Sequence, residues 1–179
     1  MIVFDTETTG LIGHDYIPLH EQPEIIEFAA IKLDDHTLEI VDRIEMLIKP
    51  KILPLPAKVV EITHITDDML TDAPSFARVL PDIERFFLGE RTVVAHNAPY
   101  DIGMLMYELK RLDRVTRFPW PTVQLCTVEL SMSIRGARMR LGDLYTHATG
   151  TTPDGWHRAM QDVEMLTDIV RWMKSEKLF

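Results

Sequence analysis

In the stretch MIVFDTETTGL, Asp5 and Glu7 stand two residues apart at the end of an apolar run. Side chains alternate along a strand, so these two acids share one face and Thr6 takes the other. Carboxylates at the end of a buried strand need a cation, a shared proton or open water. The plain alternative is a strand that simply ends, with TETTG starting a turn at Gly10. Asp101 follows the strand-like TVVAH and opens a helix-like segment, where an acid also complements the macrodipole. Asp162 borders the apolar stripe of the last helix, where it either projects into a cleft or is solvated at the edge. His157 precedes it by five residues, about 140° around a regular helix. The two converge only if His157 lies in the loop entering that helix near Gly155; otherwise it is an exposed loop histidine.

Together these residues supply four carboxylates and one imidazole. Hard oxygen donors without thiolate select Mg²⁺ or Mn²⁺ over zinc. Two such ions about 3.5–4 Å apart can clamp the attacking and leaving oxygens of a phosphodiester. A histidine titrating near neutrality can then accept a proton from the attacking water.

The elements that must position them can be read from periodicity and turn residues. Strands are expected at Ile2–Asp5, Ile25–Leu33, Leu38–Ile48, Thr92–His96 and Val123–Cys126, with a hairpin corner at 34–37. Pro50, Pro54 and Pro56 interrupt the chain before a short helix at Ala57–Ile62. SFARVLPDIERFFLG reads as a helix capped by Ser75 and stopped by Gly89, with Pro81 kinking or breaking it. Ile102, Leu105, Leu109 and Leu112 form the stripe of the helix carrying Asp101. Helices are also expected at Val128–Ile134, Leu141–Thr149 and Arg158–Lys174, the last with Ala159, Val163, Leu166, Val170 and Met173 inward. Strands followed by alternating strands and helices predict an α/β protein with helices on the faces of a mixed sheet.

The 179 residues suit one domain, and 46% apolar with 26% charged residues is ordinary for a folded soluble chain. A single cysteine, Cys126, excludes an internal disulfide framework and a cysteine zinc site. No apolar run approaches membrane-span length and no signal-like segment precedes the first strand, so a cytoplasmic protein is expected. The net charge of −9 argues against a protein that coats nucleic acid through a basic surface. It leaves room for an enzyme that grips a strand end through metal ions.

The three segments FDTETTGL, VAHNAPYDIGML and HRAMQD, in that order, resemble the motifs of the DEDDh (DnaQ-like) 3′–5′ exonucleases. The resemblance runs from Val3 to about Val170 and implies one exonuclease domain over 1–179, with an RNase H-like mixed five-stranded sheet flanked by helices. It implies that Asp5, Glu7, Asp101 and Asp162 hold two Mg²⁺ or Mn²⁺ ions and that His157 is the general base. Asp5 would serve both ions, and Glu7 would also accept from the terminal 3′-hydroxyl. Thr8 and the backbone around Thr6 would meet the 3′-terminal nucleotide, and Asn97 would help hold the loop presenting Asp101. The products would be nucleoside 5′-monophosphates.

One position departs from the family: Thr63 stands where His-Gly-Ile-Thr has its histidine, while Ile65 is expected to pack on the terminal base. His64 reads as a surface residue or a substitute contact. The DTETTG form is more similar to the proofreading-like branch than to oligoribonuclease, which typically has methionines around its glutamate. The expected substrate is a DNA 3′ end, single-stranded or frayed. The alternatives are an RNA-trimming relative of ribonuclease T or oligoribonuclease, and a catalytically silent nucleic-acid-binding or polymerase accessory subunit. A partner polymerase, a homodimer, and a sliding clamp docked through the terminal Leu-Phe of SEKLF are further expectations. Arg135, Arg138 and Arg140 either contact phosphates upstream of the cut or solvate a helix end. The long stretch over 11–24 is a lid or a plain connection.

Overall fold

The computed structural model describes residues 1–14, 16–153 and 158–179. Five strands, β1 (Ile2–Thr8), β2 (Ile25–Leu33), β3 (Ile40–Leu47), β4 (Thr92–Ala95) and β5 (Val123–Cys126), form one sheet in the order β3-β2-β1-β4-β5. β3, β2 and β1 pair antiparallel, whereas β4 and β5 run parallel to β1. The seven helices among the described residues are α1 (Ala57–Thr63), α2 (Asp67–Thr71), α3 (Phe76–Phe87), α4 (Ala98–Arg111), α5 (Thr127–Arg135), α6 (Leu141–Thr149) and α7 (Ala159–Ser175). This is the expected mixed α/β architecture, with the short α2 and a 3₁₀ turn at Leu19–Glu21 added. The 34–37 corner is closed by Asp34, whose carboxylate accepts from the backbone of His36 and Thr37 at 2.9 and 2.8 Å.

β1 is the central strand, and its alternation sorts the core into two layers. Ile2 and Phe4 face one cluster, with Phe28 of β2, the apolar side of α3 and Met104, Leu105 and Leu109 of α4. Val3 faces the other, with Ala29, Ile31, Val94, Leu144 of α6 and the stripe of α7. All five expected α7 stripe residues are buried. The same alternation sends Thr6 and Thr8 toward the α4 layer and Asp5 and Glu7 toward the α7 layer.

Two alternatives left open by the sequence narrow. Pro81 lies inside α3 without breaking it. The proline is exposed, and Phe76, Val79, Leu80, Ile83, Phe86 and Phe87 anchor the helix on both sides of it. Gly89, at φ +84°, does end the segment. The 11–24 stretch is a tied connection: the buried Gln22 side chain accepts from the Gly13 N–H at 2.9 Å and donates to the His14 carbonyl at 3.1 Å. Arg111 of α4 donates to the carbonyls of Leu19, Gln22 and Pro23 at 3.1, 2.7 and 2.9 Å. Leu178 and Phe179 pack back against the α7 cluster.

Phe87 ties both strands and helices of its layer together, with ring centroids 5.9 Å from Phe4, 6.4 Å from Phe28 and 5.1 Å from Phe118. Phe87→Ala should therefore lower unfolding stability by about 3–5 kcal/mol. The shift in urea midpoint measures it, and a loss below about 1 kcal/mol would contradict this packing.

Candidate active site

Asp5 and Glu7 emerge where β1 runs beyond its parallel partner. β4 pairs with β1 only at Ile2 and Val3, so past Phe4 that edge of β1 has no strand beside it. On the other edge, a register shift between Glu7 and Thr8 turns the strand end against β2. Asp162 arrives from the first turn of α7, on the face that Asp5 and Glu7 occupy. The three carboxylates offer oxygens that all lie within 4.8 Å of one another.

Asp101 comes from the opposite layer. The chain leaves β4, turns at Asn97 in the left-handed region (φ 67°), and enters α4 through Pro99. That turn suits asparagine and brings Asp101 to the unpaired edge of β1. There the Thr6 backbone N–H and hydroxyl both donate to Asp101 Oδ1, at 3.1 and 2.7 Å. Asp101, 2% exposed, thus supplies the acceptor that a neighbouring strand would otherwise provide.

Reading the sequence missed two residues that build the α7 side. Glu27 of β2 lies directly opposite Glu7 and is fully buried. It forms an ion pair with Arg158, whose Nε donates to both carboxylate oxygens at 3.1 Å. Its Oε2 also accepts from the Ala159 N–H at 2.9 Å. One acid inside the apolar run IIEFAAIKL was the available signal, because such an acid must find a partner. The pair fixes the start of α7 on the sheet, and Arg158 offsets part of the repulsion that Glu27 exerts on Glu7.

Burial and mutual repulsion set the charge of the site. Desolvation first, then the carboxylates of Asp101, Asp162, Glu7 and Glu27, pushes Asp5 well above its ordinary value. Glu7 is pushed up to about 8 by burial and then by Asp162, Glu27 and Asp101, with Arg158 opposing. Asp101 rises to about 7 through burial, held down by the two bonds from Thr6. Such a cluster is short of positive charge. Its all-oxygen donors suit a hard divalent cation, and Asp5, Glu7 and Asp162 lie close enough together that they could share one.

A cleft of about 680 Å³ opens beside these acids, lined by Thr6–Leu11, Pro56, Lys58, Val59, Ile62, Thr63 and Tyr100. The expected nucleotide contacts fall unevenly around it. Thr6 lines the cleft, yet its N–H and hydroxyl are engaged by Asp101. The Thr8 hydroxyl shares a 2.6 Å bond with the Tyr100 hydroxyl and donates to the Gly10 carbonyl at 2.8 Å. Thr63 also lines it, but its hydroxyl donates to the Val59 carbonyl and accepts from the Ile65 N–H.

The expectation for Ile65 is corrected. It is wholly buried in a cluster with Ile26, Leu55 and Leu70, and Val59 and Ile62 present the apolar surface instead. Asn97 is exposed and accepts from Arg138 at 3.3 Å. His64 is an exposed left-handed cap of α1. His157 lies outside the described residues.

The exonuclease family model RNase_T matches residues 2–170. The PolC-type DNA polymerase III of Staphylococcus haemolyticus is 35% identical over 164 residues, which are 91% of this chain and 10% of the polymerase. That of Bacillus subtilis is 40% identical over 129 residues, 72% of this chain and 8% of the polymerase. The chain thus spans a tenth or less of these relatives' length. Among solved structures, exonuclease X in complex with 5′ overhanging duplex DNA is 26% identical, with a TM-score of 0.66 over 98% of this chain and 92% of that one. The nuclease domain of 3′hExo, a DEDDh family member bound to rAMP, shares the fold at a TM-score of 0.78 and 21% identity, over 98% and 91% of the two chains.

The raised acids make metal-free stability depend on pH. Glu7 and Asp101 keep a proton in the folded protein up to about pH 8 and 7, whereas the unfolded chain releases it near 4.5 and 3.8. The folded state therefore binds more protons across that window, and stability falls as pH rises through it. In EDTA, Tm should drop by roughly 5 °C or more between pH 5 and pH 8. Mg²⁺ or Mn²⁺ should reverse the drop, most strongly at the alkaline end, as differential scanning calorimetry would record.

Proposed function

The chain belongs to the RNase_T exonuclease family, whose model matches residues 2–170, and from that premise we propose that it is a metal-dependent 3′–5′ exonuclease of the DEDDh type acting on DNA. Single-stranded or frayed 3′ ends would be its substrate and nucleoside 5′-monophosphates its product. The observation that carries this reading is the convergence of Asp5, Glu7 and Asp162 within 4.8 Å, with Asp101 held against the same strand by Thr6.

Two divalent cations would supply charge neutralisation at the scissile phosphate and a more acidic attacking water. Asp5, Glu7 and Asp162 would hold one, and Asp5 with Asp101 the other. His157 would accept the proton of the water as its oxygen bonds to phosphorus. The P–O3′ bond then breaks, and the released 3′-oxygen takes up a proton. Glu7 would also accept from the 3′-hydroxyl of the terminal nucleotide, whose nucleoside would lie in the cleft against Val59 and Ile62. Thr8, tied to Tyr100, would shape the wall beside it, and Asn97 would steady the turn into α4.

DNA is favoured over RNA because the relatives at 35–40% identity are DNA polymerases. The same kinship supports work beside a polymerase in the cytoplasm, as a proofreading or repair activity. RNA trimming is the second reading, favoured by the likeness to a nuclease domain bound to rAMP. A silent binding subunit is disfavoured by the intact set of acids.

The test runs labelled DNA and RNA oligonucleotides side by side with Mg²⁺ and Mn²⁺. Stepwise release of 5′-monophosphates, faster from DNA, is expected. Asp5→Asn should lower the rate by roughly 1,000-fold or more while leaving the circular dichroism spectrum unchanged. No cleavage of either polymer by the wild-type protein would refute the enzyme reading.

A further inference from the structure

Arg138 and Arg140 sit on a short extended strip between α5 and α6, on either side of Met139. Met139 is buried and packs in the α7 cluster with Val94, Leu144 and Val163. Its N–H donates to the Ser131 hydroxyl at 3.2 Å, and its backbone faces the His96 ring. His96 is itself tied to the Thr127 hydroxyl through Nδ1 at 2.9 Å. The strip is thus fastened at its middle residue, and the two flanking arginines are both exposed. Alternate residues of an extended chain project to one side, about 6.6 Å apart.

Arg138 reaches Asn97, the residue that opens α4 and precedes Asp101 by one turn. The strip therefore borders the carboxylates through that turn and shares a cluster with Val163, the neighbour of Asp162. Among the described residues Arg138 and Arg140 form no ion pair with a carboxylate, as is also true of Arg78, Arg91, Arg117 and Arg135. What sets this pair apart is the anchored Met139 between them and the bond from Arg138 to the α4 turn. In a chain of net charge −9, two exposed cations flanking an anchored residue beside the turn that carries Asp101 form a basic step. A polyanion approaching four carboxylates gains from such a step. Arg135 differs, since it ends α5, where a cation answers the helix dipole.

We propose that Arg138 and Arg140 bind successive backbone phosphates of the nucleic-acid strand just 5′ of the nucleotide being removed. This rests on the exonuclease reading for the direction of the strand, but the binding can be measured without cleavage. Fluorescence anisotropy of a labelled single-stranded DNA in the inactive Asp5→Asn background, over a salt series, supplies the readout. Arg138→Gln/Arg140→Gln should weaken binding about tenfold and reduce the slope of log K against log salt by roughly 1.4, the share of two phosphates. Arg138→Lys/Arg140→Lys should restore the slope, and Arg135→Gln should leave it unchanged. In the active protein, the glutamine pair should cost a long oligonucleotide about tenfold in kcat/KM and a dinucleotide, too short to reach the strip, less than twofold. An unchanged salt slope in the glutamine pair, or an equal loss on both substrate lengths, overturns the proposal. Failure of the exonuclease reading would show separately, as wild-type protein that binds the strand and cuts nothing.

Discussion

A carboxylate buried in the second strand of the sheet cannot remain alone, and the way Glu27 is compensated decides where the last helix begins. Arg158 and the Ala159 N–H close around it, and the Asp162 N–H donates back to the Arg158 carbonyl at 3.0 Å, completing the first turn. Breaking such a pair leaves an uncompensated buried charge, which costs about 3–5 kcal/mol. The start of α7 is therefore held by an electrostatic requirement set on another strand. Because Glu27 lies across from Glu7, that requirement also brings Asp162 to Glu7.

The remaining acid is delivered by a different rule. Backbone groups at the end of a strand must be satisfied, and β4 stops short of the end of β1. Asp101 fills that gap from the far layer, so the turn at Asn97 serves the hydrogen-bond needs of the sheet and the chemistry at once. The four carboxylates accordingly reach the site from both faces, three through convergence of charge and one through a backbone donor. Neither layer alone would assemble the set.

Much of this was legible in the sequence, because period and punctuation carry the strands and helices. The alternation of β1 put Asp5 and Glu7 on one face, and the stripe of α7 put Asp162 at its edge while leaving open whether that acid entered a cleft or faced solvent. What was not legible was non-local. Glu27 reads as one polar residue in an apolar strand, and nothing nearby in the chain names Arg158 as its partner. Glu108, buried on the same face of α4 as Asp101 and paired with Arg111, was hidden in the same way. Ile65 was placed at the substrate by likeness to a motif, whereas packing with Ile26 and Leu70 takes it inside. The helix through Pro81 shows apolar contacts on both sides of a proline outweighing the local disruption.

β1 lies between an antiparallel and a parallel neighbour, with a core layer on each face. Segments with many buried contacts open only when the whole molecule does. The backbone amides of Val3 to Asp5 should thus belong to the slowest-exchanging part of the protein. Asp5 is held by that slow segment, whereas Glu7 stands farther along, where β2 alone flanks the strand. Heating should therefore free Glu7 before Asp5, so that the centre loosens from its outer end inward.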